Sequence, residues 1–327
     1  MSDYWSSGHQ SHAEDLFYMK PGRKIYVDAT YGSDGNAGTK ANPMKTLAAG
    51  YSQLRTGRND TMFLANGNYI LTAEFDWTKS DTNVVGLCEN IEGDHTQGGV
   101  NIYSTTVTVV NTIDLSGDRC LFQNVKITNA GAAAACLQAV FVRGAGALFK
   151  NVAISGSCAA TQAATALATS LCIGRGGYFP RFEDCVIGNN TQVTRTGATN
   201  SHLHFTNLGG GTYPPDNGTF KRCKFLSISV AATTPMIYVL LNSLDRIWLF
   251  EDCTFYNFYV GAATKLNEVI HDDDTFYTHQ IVLKRCTAVG YTEWQTSDIG
   301  FGSVQSDMPI TGTGGGLTTP PTAAVGA

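Results

Sequence analysis

Charge is scarce in this chain. Only 15% of its 327 positions are Asp, Glu, Lys or Arg, and 22 basic residues against 27 acidic ones leave a formal net charge of −5. The signs are well mixed, so there is no basic stripe to track a phosphate backbone, and nucleic acid is not expected as a partner. Long apolar runs are missing too. No stretch reaches the roughly 18 apolar residues of a membrane span, and the opening Met1-Ser2-Asp3-Tyr4-Trp5 lacks the basic start and apolar run of an export signal. The expectation is therefore no membrane span and no exported precursor. Paired cysteine motifs are absent as well. The nine cysteines are an odd number and none falls in a C-x-x-C pair, which argues against a disulfide framework or a zinc knuckle and for reduced thiols made in a cytoplasm. No cofactor motif is present, and no cofactor is expected.

What remains is 43% hydrophobic residues and 35 glycines, with short apolar runs rich in β-branched residues and frequent turn signals, a composition of β structure with little helix. A short phrase recurs within it: aromatic, any, polar, small apolar, any, apolar. The copies begin at Phe122, Phe149, Phe182, Phe220, Phe250 and, more loosely, Leu283, at spacings of 27, 33, 38, 30 and 33 residues. A constant phrase between loops of changing length is the signature of a coiled solenoid. Positions one and four cannot both face inward along one straight strand. A left-handed bend at position three resolves the conflict, and Asn124, Asn151, Asp184 and Asp252 suit it. Arg222 and Arg285 suit it less well.

Stacking the copies in parallel register places equivalent residues about 4.8 Å apart. Position two then reads Gln123, Lys150, Glu183, Lys221, Glu251, Lys284, alternating in sign from Lys150 onward, and position three reads Asp184, Arg222, Asp252, Arg285. Opposite charges on facing strands contribute roughly 0.2–1 kcal/mol per pair, and a shifted register would be penalised. Position four places Cys185, Cys223, Cys253 and Cys286 in one interior column, where a free thiol packs as a small hydrophobe. The alternative is an antiparallel sandwich in which the phrases are coincidental, and two charge columns alternating in step weigh against it. Weaker strands around Val84 and Val85, Ile102, and Val107 to Val109 are expected to add two or three rungs.

The N-terminal part reads as a cap: a strand Ile25-Tyr-Val-Asp28, a loop Gly32 to Gly38, an amphipathic helix from Thr46 to Leu54 and a strand at Thr61 to Ala65. The order Tyr26-Val-Asp28, Gly32-Ser-Asp-Gly-Asn36, Asn42-Pro-Met-Lys-Thr46 and Ala65-Asn-Gly-Asn-Tyr69 resembles the opening of many pectin-lyase-like parallel β-helix proteins of bacteria and phage virions. The resemblance covers residues 24 to 70 and, through the repeat, 120 to 290. It implies an all-β, right-handed parallel β-helix with a helix plugging the N-terminal end. It specifies fold better than function, because lyases, hydrolases, tailspikes and inert particle components share that fold. The chain accordingly divides into an N-terminal arm (1–23), a cap with the first rung (24–70), the β-helix (71–302) and a Gly/Thr/Pro-rich C-terminal arm (303–327).

Candidate chemistry is sparse. A glycosidase on such a surface needs two carboxylates about 5 to 9.5 Å apart. Glu183 with Glu251, or Asp184 with Asp252, stand two rungs or about 9.6 Å apart, but Lys221 and Arg222 lie between them, so pairing with those bases is the stronger reading. Glu268, His271, Asp272, Asp273, Asp274 and His279 form the densest acidic and imidazole cluster and are weak candidates for a divalent cation. His202 and His204 share one strand face, either as a two-ligand site or as two exposed histidines. Asp28, Asp34 and Asn36 could hold calcium or simply form turns. Tyr256, Phe258, Tyr259, Phe276, Tyr277 and Trp294 could stack on sugars or bury in a subunit contact. The polysaccharide-lyase arrangement of clustered aspartates with an arginine base is not recognisable. The reading is a non-enzymatic bacteriophage virion component, at the head surface or tail, pinned to other virion proteins by its arms, forming a homotrimer and touching host glycans. The alternatives are a tailspike that binds or cleaves polysaccharide and a secreted bacterial enzyme.

Overall fold

The structure, a computed structural model, describes residues 22–92, 98–189, 193–258, 266–273 and 279–295, with the strands Val304–Ser306 and Leu317–Thr318. All strand pairings between its elements are parallel, which disposes of the sandwich alternative. One sheet of 17 strands runs the length of the molecule, a second of seven faces it, and a pair, Leu266–Glu268 with Tyr291–Glu293, sits near one end. This is a parallel β-helix, and its sequence period sets its register. Phe122, Phe149, Phe182, Phe220, Phe250 and Leu283 are consecutive register partners.

The phenylalanine column is fully buried. Successive rings lie 5.2, 4.9, 4.5 and 4.7 Å apart with planes within 13° of parallel, so one aromatic spine fills the core along five rungs. Beside it run Val125 and Val152, continued by Cys185, Cys223, Cys253 and Cys286, all at most 2% exposed. All nine cysteines are free.

The bend between the two strands of each repeat is left-handed at every copy. Asn124, Asn151, Asp184, Arg222, Asp252 and Arg285 all have φ between 52° and 56°. The arginines therefore tolerate what the sequence reading reserved for Asn and Asp. Left-handed backbone costs a β-carbon residue roughly 1–2 kcal/mol, and here each arginine recovers a forked, charge-assisted pair one rung away. Arg222 donates to both oxygens of Asp184 (2.6 and 2.8 Å), and Arg285 does the same to Asp252 (2.6 and 2.9 Å).

The capping helix α1 spans Leu47–Gln53, with Thr46 as N-cap accepting from the Ala49 amide and Leu54 as C-cap. A β-carbon at Gly50 would stand 2.5 Å from Met62 and Val27, so glycine is what lets α1 lie directly on the first rungs. Three features depart from expectation. Residues 107–109 form a turn, closed by the Val109 amide on Thr106, and the strand of that rung is Asn111–Leu115. A short helix α2, Ala160–Ala164, interrupts one connection. Within the segment read as the C-terminal arm, Val304–Ser306 and Leu317–Thr318 pair with Ile281–Leu283 and Ala288–Val289 and add a further rung. Residues 1–21 lie outside the described part.

Candidate functional site

The ladder carboxylates sit where their register predicts, beside bases. Glu251 accepts from Lys284 (2.9 Å) and Arg285 (2.8 Å) and lies 3.4 Å from Lys221. The Lys284 bond, then that from Arg285, pulls its carboxyl down to about 2. Asp184 and Asp252 are lowered as well, each first by its arginine. Groups held ionised in this way cannot donate a proton at neutral pH. Glu183 is in register between Lys150 and Lys221 but closes no ion pair within 4 Å among the described residues, so the alternating column makes side-chain contact only around Glu251.

The acidic and imidazole cluster splits across the sheet. Asp272 continues the inward column of Leu115, Val142, Ile173, Phe205 and Val239, and it pairs there with His279 at 2.8 Å, both side chains 2% exposed. His271 points outward: Nδ1 meets Glu268, Nε2 lies 3.0 Å from Asp273, and the ring stacks on Tyr238, whose hydroxyl donates to the other oxygen of Asp273. Asp274 lies outside the described residues, as do Tyr259, Phe276 and Tyr277. Tyr256 and Phe258 pack on each other, and Trp294 is buried against Phe255.

His202 and His204 are buried, not exposed. His202 bonds Ser170 at 2.9 Å and His204 packs edge-on to Tyr238. Burial pushes His202 well below the usual range and His204 to about 4, so both rings are neutral at pH 7. The loop residues are spent on turns. Asp28 accepts from the Thr30 and Tyr31 amides, Asp34 from those of Lys45 and Thr46, and Asn36 donates to the Pro43 carbonyl.

One constellation escaped the sequence reading. Glu74, Asp76 and Asp114 bring carboxylate oxygens within 4.8 Å of one another at one end of the second sheet. Register does this: Phe75–Trp77 pairs with Ile113–Leu115, so Asp76 faces Asp114. Arg143, from the end of the next rung, forks onto both oxygens of Asp114 at 2.7 and 2.6 Å, and Glu74 accepts from the Asn111 amide at 3.1 Å. Asp76 is exposed, Glu74 half-buried and Asp114 buried. Glu74 and Phe75 also line a cleft of about 440 Å³ with Thr46, Leu47, Asn68 and Ile70. A cation in this cluster would stand against the Arg143 guanidinium, whereas a hydroxyl-rich ligand could donate to the carboxylates and accept from the arginine.

This arrangement of parallel rungs, an aromatic spine and a helical plug has counterparts among solved structures. The chain has the pectin-lyase-like right-handed parallel β-helix fold. It is similar to the pectin methylesterase PemA from Erwinia chrysanthemi (14% identity over 94% of this chain and 92% of that one, TM-score 0.55) and to the pectate lyase Pel9A (14%, 94% and 82%, TM-score 0.54). ORF18 of Geobacillus virus E2 is more distant, with 13% identity over 90% of this chain and 57% of the other at a TM-score of 0.45. No family model and no curated protein matches the chain. At such identities these likenesses extend to the pectin-lyase-like fold alone. None of the described helices is long and apolar enough to cross a membrane.

Proposed function

We propose that this chain is a structural component of a bacteriophage particle, a head decoration or tail-associated protein made in the host cytoplasm. It assembles as a homotrimer and is attached to neighbouring virion proteins through its terminal segments, 1–23 and 303–327. The observation that carries this reading is the set of nine unbridged cysteines, seven of them buried. A protein folded in a reducing cytoplasm and released by lysis keeps such thiols, whereas export through an oxidising compartment would select against them. The ladder supports the same reading, since Asp184, Glu251 and Asp252 stiffen the rod through ion pairs with Arg222, Lys284 and Arg285. Truncation tests the attachment. Removing residues 1–20, or 305–327 with the short terminal rung that they carry, should abolish incorporation into particles while leaving the remaining rungs folded by circular dichroism, and normal incorporation of both truncated proteins would refute attachment through these segments.

The cluster of Glu74, Asp76 and Asp114 with Arg143 favours a second reading, in which the particle component also binds or cleaves a host-surface glycan. Its solved neighbours include enzymes named for pectin. Depolymerisation of host polysaccharide by the wild type, lost in Asp76→Asn and Asp114→Asn, would establish it. Unchanged polymer length, with no retention on immobilised polysaccharide, would remove it.

A further inference from the structure

His202 and His204 are two positions apart, so strand alternation sends both to the outward face of the second sheet, yet they are only 2% and 3% exposed there. The groups that face them are few. From the strand Thr169–Arg175, Ser170 bonds His202 Nδ1 at 2.9 Å and Cys172 stands in register with His204. From Ile237–Val239, Tyr238 packs on His204 and gives its hydroxyl to Asp273. Burial first, and then the Arg195 charge, keeps the His202 imidazole neutral. Gly188 closes another side, since a β-carbon there would stand 2.7 Å from the His202 ring. Among the described residues no carboxylate lies within ion-pairing distance of either imidazole. A proton added to either ring is therefore a buried charge without a counter-ion, and at His202 it meets a second cation.

What covers this face is held by polar contacts. The connection 156–168, which carries α2, is tied down by the Gly156 amide donating to Ser170 Oγ at 2.9 Å and by Asn200 Nδ2 donating to the Gln162 and Thr165 carbonyls at 3.0 Å each. Of its own residues α2 buries only Gln162 and Ala163, so lifting it exposes little apolar surface, and water can replace its hydrogen bonds. Segments held in this way open at a free energy well below that of global unfolding. The inward side of the same strands is different, because Leu171, Ile173, Leu203 and Phe205 are fully buried in the core.

We propose that the connection 156–168 is an acid-released cover: protonation of His202 and His204 opens it and exposes the outward face of the second sheet, with the Cys172 thiol, while the solenoid stays folded. The device stands independently of the particle role. A ring kept neutral under the cover and free to titrate near 6.5 once the cover opens stabilises the closed form above that value, and the stabilisation is lost as pH falls below it. Between pH 7.5 and pH 5 each such histidine favours opening by about 30-fold, and the pair by about 900-fold.

Cys172, 1% exposed in the closed form, reports the opening. The full-length protein is pulsed with 4,4′-dithiodipyridine, which modifies thiols in acid as well as at neutral pH, and each site is quantified by peptide mapping with the half-buried Cys88 as internal reference. The ratio of Cys172 to Cys88 labelling rates should climb about 900-fold from pH 7.5 to pH 5, while Cys223 and Cys253 in the core column stay unlabelled. His204→Gln should cut the climb to about 30-fold, and adding His202→Gln should flatten it. Should the double variant not fold, either single variant with a native circular dichroism spectrum carries the same expectation of a climb reduced to about 30-fold. A ratio that does not change with pH in the wild type, Cys223 labelled in step with Cys172, or an undiminished climb in a folded variant would each overturn the proposal.

Discussion

Phe182 stands mid-column, fully buried, its ring 4.9 Å from Phe149 and 4.5 Å from Phe220 with planes 9° and 6° from parallel. Truncation to alanine removes both ring contacts and leaves a cavity that two parallel strands, pinned by register at Leu148–Arg181 and Arg181–Thr219, cannot collapse to fill. Phe→Ala changes in such sites cost about 3–5 kcal/mol, and each aromatic contact accounts for about 0.5–1.5 kcal/mol within that. Phe182→Leu keeps most of the volume and should cost roughly half as much. Against a net stability of about 5–15 kcal/mol, the alanine variant should show a clear fall in urea midpoint. Because a solenoid couples each rung mainly to its neighbours, hydrogen exchange should accelerate first in 148–155, 181–188 and 219–227 while Asp60–Leu64 keeps its protection. A cost below about 1 kcal/mol, or protection lost evenly along the chain, would refute the stacked-column account.

Three further outcomes follow. Thiol titration of denatured, unreduced protein should recover all nine cysteines, while in the native state only the half-buried Cys88 and Cys158 should react readily, since the other seven are buried away from reagent and burial raises Cys120 to about 11. Glu251, with its carboxyl lowered to about 2, contributes stability that is fully present above an unfolded carboxylate value near 4.3 and lost as pH falls toward 2. Glu251→Gln should therefore flatten the acid limb of the unfolding curve, by a small amount that about 1 M salt erases. For His204, lowered to about 4 by burial, stability is present above the unfolded value near 6.5 and lost between there and pH 4, on the order of 3 kcal/mol in total. His204→Gln should show a shallower pH dependence across that window, and an unchanged slope would contradict the buried neutral ring.

The sequence reading was strongest where the repeat phrase fixes register. Phe122 to Phe250, the cysteine column and the bends at Asn124, Asn151, Asp184 and Asp252 were visible, because one strand pair recurs with the same inward positions, whereas Arg222 and Arg285 looked less suited to the left-handed bend that they adopt. The second sheet carries no such phrase. Its strands, among them Gln138–Val142, Thr169–Arg175 and Leu203–Gly209, are read from loops whose length changes at every turn. Asp76, Asp114 and Arg143 are 38 and 29 positions apart and meet only through that unseen register. The histidine pair was placed correctly on a strand face and wrongly in solvent, since Ser170 and Gly188 enclose His202 and Tyr238 packs on His204. The acidic and imidazole cluster read as one site because Asp272 and Asp273 are adjacent, yet strand alternation sends one inward to His279 and the other outward to His271.

The most direct test of the proposed virion role is quantitative mass spectrometry of density-gradient-purified phage particles from cells that produce this chain. The account predicts the protein in fixed stoichiometry to the major structural proteins, in copy numbers divisible by three, and retained through high-salt washing. Its absence from purified particles, with recovery only as free protein in the lysate, would contradict a structural role.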